Sequence, residues 1–451
     1  MVHKYNMNGY YIVIDSNSGS IHVVDEIVYD VLDFYQDNDL DNIQKKLGDK
    51  HDKNKIEECY LEVQELEKQD LLFSKDIYKG MMADINGRDP VVKALCLHIA
   101  HDCNLKCAYC FAEEGEYKGK RSLMSLEVGK QAIDFILSNS GSRKNLEIDF
   151  FGGEPLMNFE VVKGIVAYGR EKEKEYNKNI RFTITTNGLL LNDDKLEYIN
   201  ETMDNVVLSI DGRKNVNDKM RKCHGDKSSY DIIVPKFKKL AESRNHTNYY
   251  VRGTFTRENL DFSEDVMHLQ NLGFKQISIE PVVADEKEWY AIRQEDIAKI
   301  CDEYEKLAKD MLKSRKAGEN FNFFHFMIDL SGGPCATKRL IGCGAGTEYL
   351  AVTPEGDLYP CHQFVGMDEF KMGTVTEGVI NTEKYEEFEK SNIYAKEDCT
   401  SCWGRFYCSG GCAANAYSNH GNILSTYKLG CDMQLKRTEC AIMMEVARAY
   451  D

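Results

Sequence analysis

Between residues 90 and 320 the apolar positions fall into two kinds of stretch that take turns. Strand-length runs lie at 94–100, 146–151, 180–185, 206–210, 249–255 and 276–281. Longer segments with helical spacing lie between them at 125–139, 159–176, 193–203, 230–243 and 262–272, and a charged helix follows through Lys313. Six strand-helix units in series predict a parallel sheet with crossover helices. Six strands are too few to close an eight-stranded barrel, so the expected fold is α/β, an open partial (β/α)6 barrel.

The flanks have different patterns. In residues 1–85, Tyr10-Tyr-Ile-Val-Ile-Asp15 and Ile21-His-Val-Val24 are β-prone runs separated by Ser16-Asn-Ser-Gly-Ser20, a hairpin signal. Helical periodicity follows at 25–35, 40–47 and 56–69, the last with Ile56, Tyr60, Val63 and Leu66 on one face. Beyond residue 331 the alternation stops, and only a terminal run at 440–450 reads as helix. The expected domains are therefore 1–85, 90–320 and 331–451.

Charge narrows the partners. The chain carries 57 Lys and Arg against 74 Asp and Glu, a net −17, which disfavours nucleic acid and anionic membrane. Residues 1–85 alone hold 9 basic and 18 acidic residues, so a DNA-binding role for that module is disfavoured too. The longest apolar runs are strand-sized and Met1-Val-His-Lys-Tyr-Asn has no signal-peptide core. A soluble, cytoplasmic protein is the expectation.

In such a compartment the sixteen cysteines are better read as metal ligands than as disulfides. Three stand in Cys103-Asn-Leu-Lys-Cys107-Ala-Tyr-Cys110, directly after the first strand. A closed zinc site takes four ligands, and no CxxC or HxxxH partner follows within a hundred residues. Three thiolates instead suit three corners of a [4Fe-4S] cube, with one iron left open to a ligand. Nine more cysteines lie between Cys335 and Cys440, while Cys59, Cys96, Cys223 and Cys301 are scattered and, like Cys440, read as packing residues.

Polar motifs cap successive strands. Gly152-Gly153-Glu154-Pro155 ends the second, where glycines permit close backbone approach to a ligand. Thr185-Thr186-Asn187-Gly188 ends the third and Ser209-Ile-Asp211-Gly212 the fourth. An Asn-Gly turn is also common for backbone reasons alone. Arg221, or Arg252 in its place, suits a carboxylate.

The CxxxCxxC loop, with Tyr109 before its third cysteine, and the GGEP motif resemble those of radical S-adenosylmethionine (SAM) enzymes. The order Cys343, Cys361, Cys399, Cys402, Cys408, Cys412, Cys431 is similar to the SPASM extension of that family. The resemblance implies three [4Fe-4S] clusters and SAM. Cys103, Cys107 and Cys110 would hold the catalytic cluster, and Tyr109, Gly152, Gly153, Glu154, Thr186, Asn187, Ser209 and Arg221 would meet SAM. Cys399, Cys402, Cys408 and Cys431 would close one auxiliary cluster, and Cys343, Cys361 and Cys412 would hold three corners of the other. Its last position falls to Cys335 or to a substrate thiolate.

Residues 1–85 resemble the winged-helix-like module with which peptide-modifying enzymes grip a leader. The whole layout resembles thioether-forming maturases of ribosomally made peptides, nearest those of six-cysteine SCIFF peptides. This implies an anaerobic enzyme that uses a 5′-deoxyadenosyl radical to join a cysteine sulfur to an α-carbon in a cysteine-rich precursor. A small donor such as ferredoxin or flavodoxin would supply electrons. The motifs are shared with anaerobic sulfatase-type Ser/Cys oxidation, peptide C–C cross-linking and epimerisation. His362 stands where the sulfatase-maturing enzymes place an aspartate base.

Overall fold

The structure is a computed structural model and describes residues 1–82, 91–225, 227–330 and 336–450. Cys335 lies outside the described residues, as do parts of the expected boundaries near 85–90 and 331.

The N-terminal module is a three-stranded antiparallel sheet, β1 (Val2–Met7), β2 (Tyr10–Asp15) and β3 (Ile21–Val24), in that order. It is followed by helices α1 (Glu26–Val31), α2 (Leu40–Leu47) and α3 (Lys53–Lys68). The hairpin and three helices are as expected, although α1 stops short of Tyr35, and β1 is an addition. Asn8 and Gly9, with φ of 54° and 85°, make the tight turn that pairs Met7 with Tyr10. Asp25, Asp39 and Asp52 cap the helices by accepting hydrogen bonds from first-turn backbone N–H groups.

Alternation along β2 divides the module's contacts. Val13 packs with Val28, Val31, Ile43, Ile56, Cys59 and Val63 in a core of its own. Ile12 and Ile14, on the other face, join the main core of the molecule. The module also docks on the C-terminal region: the His3 ring stacks on Trp403 at 4.0 Å, and Arg405 donates to Asn17 Oδ1 and pairs with Asp76.

The six expected barrel strands are Ala94–His101, Asn145–Gly152, Asn179–Thr186, Asn205–Ser209, Tyr249–Phe255 and Gln276–Pro281, paired in parallel in that order. Asn322–Phe323 extends one edge, and the sheet path does not close. Along the second and third strands Leu146, Ile148, Phe150, Ile180, Phe182 and Ile184 are buried in the main core. Their alternate neighbours point into the curve of the sheet, where Glu147, Asp149, Arg181, Thr183, Asn205 and Tyr250 line a cavity of about 670 Å³. The interior is therefore a polar cavity, unlike a packed closed barrel.

The C-terminal region continues this sheet. Tyr349–Val352 pairs in parallel with the first barrel strand, on the edge opposite the second, and then turns back antiparallel into Asp357–Tyr359. The last helix runs Lys428–Tyr450, twelve residues longer than its sequence pattern suggests, and lies along Ile297–Lys316. Cys440 and Cys96 are buried as expected, whereas Cys223 and Cys301 are half-buried. No described helix is long and apolar enough to cross a membrane.

Candidate active site

The cysteine loop leaves the first barrel strand at His101 and is held by backbone pairing. Leu105–Cys107 forms a small antiparallel ladder with Arg221–Cys223, and Ala108 N–H donates to Met220 C=O at 2.8 Å. The fourth barrel strand's loop thus clamps the first strand's loop. Cys103, Cys107 and Cys110 line one cavity of about 570 Å³, within the size range of small-ligand sites. Burial pushes the Cys103 and Cys107 thiols up to about 12, and the Arg221 cation opposes this at Cys107. Cys103 Sγ accepts from Leu105 N–H at 3.5 Å and Asn187 Nδ2 at 3.7 Å.

Among the described residues no three His, Cys, Asp or Glu side chains converge on a single metal ion. Three thiols spread along a cavity wall fit a cube, whose thiolates each bind a different iron.

The GGEP turn works differently from its sequence reading. A Cβ on Gly153 would come within 2.0 Å of Asp102 O, and one on Gly152, at φ 120°, within 2.4 Å of Ala100 O. Gly153 and Glu154 N–H groups donate to Ala100 and Asp102 carbonyls at 2.7 and 2.9 Å. The glycines let the second strand end press against the root of the cysteine loop, besides lining the cavity. Glu154 is 0% exposed and is not part of the cavity wall. Its carboxylate accepts from Thr186 Oγ1 at 2.7 Å, Asn187 N–H at 2.8 Å and Leu156 N–H at 3.0 Å. Burial raises it to about 7, against those donors. The Glu154 carboxylate is therefore a brace between strand ends.

The other expected contacts, Tyr109, Gly152, Gly153, Thr186, Asn187, Ser209 and Arg221, all line the same cavity as the three cysteines. Tyr109 O–H donates to Asp211 at 2.7 Å, Arg221 Nε donates to it at 3.0 Å, and Thr254 N–H donates at 2.9 Å. Asp211 is 0% exposed. It ties the loop aromatic, the cation and the fifth strand together, a part that sequence reasoning missed although the Ser-Ile-Asp-Gly motif contains it. Arg252, the competing cation, is gripped at both ends by Glu280, at 3.0 and 2.9 Å. It lies deep in the molecule, yet its side chain is 45% exposed toward the cavity it lines.

The C-terminal region lines the same cavity with His362, Cys408, Cys412, Cys431 and Arg437. The second cysteine field separates into two groups. Cys399 is pushed up to about 12 by burial, with the charges of Cys408, Cys431 and Cys402 adding to it. Cys361 is raised by burial and then by Cys412 and Cys343. Cys343 lines a second cavity, of about 410 Å³, with Gly411 and Lys396. These thiol-rich groups of four and three suit further iron-sulfur clusters. Lys396, missed in the sequence, lies between them. His362, beside Phe111 and Phe151 rings at 5.6 and 5.2 Å, is lowered to about 4 by burial and the Arg252 charge.

Residues 97–266 match the Radical SAM superfamily and residues 343–403 match SPASM, an iron-sulfur cluster-binding domain. The chain is 33% identical over 199 residues to an uncharacterized protein of Methanocaldococcus jannaschii, 44% of this chain and 65% of that protein. It is 23% identical over 359 residues to the radical SAM cyclopropyl synthase TigE of Paramaledivibacter caminithermalis, 76% of this chain and 72% of the relative. It is 26% identical over 340 residues to a cysteine-type anaerobic sulfatase-maturating enzyme of Clostridium novyi, 71% and 87%. Among solved structures, anSMEcpe with bound AdoMet superposes with a TM-score of 0.67 at 21% identity, covering 80% of this chain and 96% of that one. Streptococcus suis SuiB bound to precursor peptide SuiA gives 0.54 at 17%, covering 95% and 98%. At these identities the structural likeness establishes a shared fold.

Proposed function

We propose, on the premise that this chain joins a radical SAM domain to a SPASM iron-sulfur domain, that it is a peptide maturase that closes thioether bridges from cysteine sulfur to α-carbon. Cys103, Cys107 and Cys110 hold the first cluster, and Tyr109, Thr186, Asn187, Ser209 and Arg221 surround SAM with the Gly152-Gly153 backbone. When bound there, SAM would supply radical chemistry on one-electron reduction. Arg221, kept cationic by Asp211, suits the SAM carboxylate. The Asn187 amide, fixed through its backbone to Glu154, steadies Cys103.

One observation carries the reading. A single cavity is lined both by the three-cysteine loop and by Cys408, Cys412 and Cys431, so a peptide entering it would meet both thiol fields. A substrate cysteine would take the fourth position of the Cys343, Cys361 and Cys412 site. The N-terminal module supports peptide capture: among the described residues no strand pairs with the outer edge of β3. A leader would add there as a further strand, and the module's excess of acid favours basic residues on it. SuiB, solved with its precursor peptide SuiA, points to the same substrate class. The enzyme would work in an anaerobic cytoplasm with a small ferredoxin- or flavodoxin-like donor.

The test is anaerobic incubation of iron-reconstituted protein with SAM, reductant and a cysteine-rich precursor peptide. A product lighter by two hydrogens, with its sulfur retained and a cysteine no longer alkylatable, is expected. Iron should approach ~12 per chain for three cubane clusters. A second reading is Ser/Cys oxidation of the sulfatase-maturating kind. His362 lines the cavity, but burial lowers it to about 4 and so weakens it as a base, and the sulfatase-maturating relative carries this second reading. That product would lose the cysteine sulfur, a C–C cross-link would leave every thiol alkylatable, and epimerisation would leave the mass unchanged.

A further inference from the structure

Lys396 is 3% exposed, and among the described residues no carboxylate pairs with it. Its Nζ donates to Gly410 C=O at 2.8 Å. A buried ammonium with only a neutral carbonyl as partner is unfavourable unless anions are near. Burial lowers the Lys396 pKa, and what opposes this is the neighbouring Cys399, Cys408, Cys412 and Cys431. These belong to both auxiliary groups and, as cluster-bound thiolates, would supply the anions that Lys396 lacks.

The carbonyl that holds it has a special position. Gly410 lies in Cys408-Ser-Gly-Gly-Cys412, the strap whose two ends belong to different groups. Ser409, Gly410 and Gly411 have φ of 60°, 84° and 74°, a left-handed run that non-glycine residues seldom adopt. The strap bends around the lysine head, and Lys396 also faces the cavity that contains Cys343.

We propose that Lys396 is the fixed cation shared by the two auxiliary clusters and that its charge raises their reduction potentials. This rests on the reading that Cys399, Cys402, Cys408 and Cys431 hold one cluster and that Cys343, Cys361 and Cys412 hold the other. A thiolate-ligated cluster gains negative charge on reduction, so a nearby cation in a low-dielectric setting favours the reduced form. Lys396 acts through the clusters and is a positioning residue, with no part in contact with substrate.

The test is EPR-monitored redox titration of reconstituted protein, without peptide, for wild type, Lys396→Gln and Lys396→Arg. Gln keeps a donor for the Gly410 carbonyl and removes the charge. It should lower the reduced-to-oxidised ratio of the auxiliary clusters at fixed potential by about ten-fold, about 59 mV for a one-electron couple. Arg should match wild type. Full iron content with unchanged midpoints in the Gln variant overturns the proposal. Should that variant lose iron, Asn392→Asp takes its place. It keeps the backbone hydrogen bonds from Tyr394 and Ala395 and sets a carboxylate in the cavity that Lys396 lines. It should lower the midpoints less beside Lys396 than in Lys396→Arg/Asn392→Asp only if the lysine is uncharged. Equal falls of about ten-fold in ratio support a charged Lys396, while a fall confined to the Arg background overturns the proposal. Iron near ~4 per chain in wild type would remove the cluster assignment itself, whereas ~12 with unmoved midpoints would remove only the role of Lys396.

Discussion

The two thiol fields reach similar chemistry by opposite routes. The first is local: three cysteines within eight residues, rooted on one strand end and clamped by the Arg221–Cys223 ladder. The second gathers seven cysteines from residues 343 to 431, through a sheet extension, short helices and a left-handed strap. A local site is secured by backbone hydrogen bonds and close glycine contacts. A dispersed one depends on how whole segments dock, and so on residues far from any sulfur.

The largest effect should separate the fields chemically. Cys107→Ala should cut SAM cleavage to 5′-deoxyadenosine by at least ~1,000-fold and keep most of the iron of the second field. Cys402→Ala should lose the iron of one auxiliary cluster, keep SAM cleavage and lose the cross-linked product. Iron analysis and chromatography of the nucleoside decide, and cleavage retained in Cys107→Ala would erase the distinction.

Next in size is a pair of glycines. Gly153→Ala places a methyl at 2.0 Å from Asp102 O and should cost about 3 kcal/mol in denaturant unfolding of the metal-free chain. Gly411→Ala meets nothing within 4 Å and costs only its left-handed backbone, about 1 kcal/mol. Equal costs would mean that the loop is no more tightly held than the strap. Third, Asp76→Ala removes the partner of Arg405 and the acceptor of Tyr394 O–H. It should cost about 2 kcal/mol and lower iron in the Cys399-Cys408 group while sparing the first loop, as differential iron counts would record.

The smallest effect is on pH. Burial holds His101, beside the first loop, and His362, beside Cys361, down to about 4. Between about pH 6.5 and 4 the unfolded chain binds protons at these positions that the folded chain does not. Their contribution to stability therefore falls as pH drops through that window, by at most about 1.4 kcal/mol per unit and residue. His101→Gln and His362→Gln should each flatten the loss between denaturant midpoints at pH 7 and pH 5. An unchanged slope in either variant means its imidazole titrates normally.

Much of the scaffold was readable because each barrel strand alternates: apolar side chains seek the helices while Glu147, Asp149, Arg181 and Thr183 remain in the cavity. Strand β1 escaped although Asn8-Gly9 marks its turn, because His3, Lys4 and Asn6 interrupt its apolar positions. The final helix escaped over Lys428–Arg437, where polar residues interrupt the apolar face that is continuous after Cys440. At the site, the sequence identified residues but not their orientation. Glu154 turns away because its carboxylate finds Thr186 and Asn187, more than thirty residues on, and Arg252 is held by Glu280 on the next strand. Such pairings depend on strand register and carry no local signal. Spacing in the second field likewise leaves the grouping of seven cysteines open until the segments dock.

The parallel ladder between Tyr349–Val352 and Ala94–His101 has a consequence for attempts at dissection. The strand that launches the cysteine loop is an interior strand only because Tyr349–Val352, 255 residues after their partners Ala94 to Leu97, lie beside it. Excision of everything after residue 331 would bare its backbone amides and carbonyls along a flat apolar margin, an invitation to self-association. Transplanting the iron-rich tail onto a different host would require matching that host's outermost strand, residue for residue.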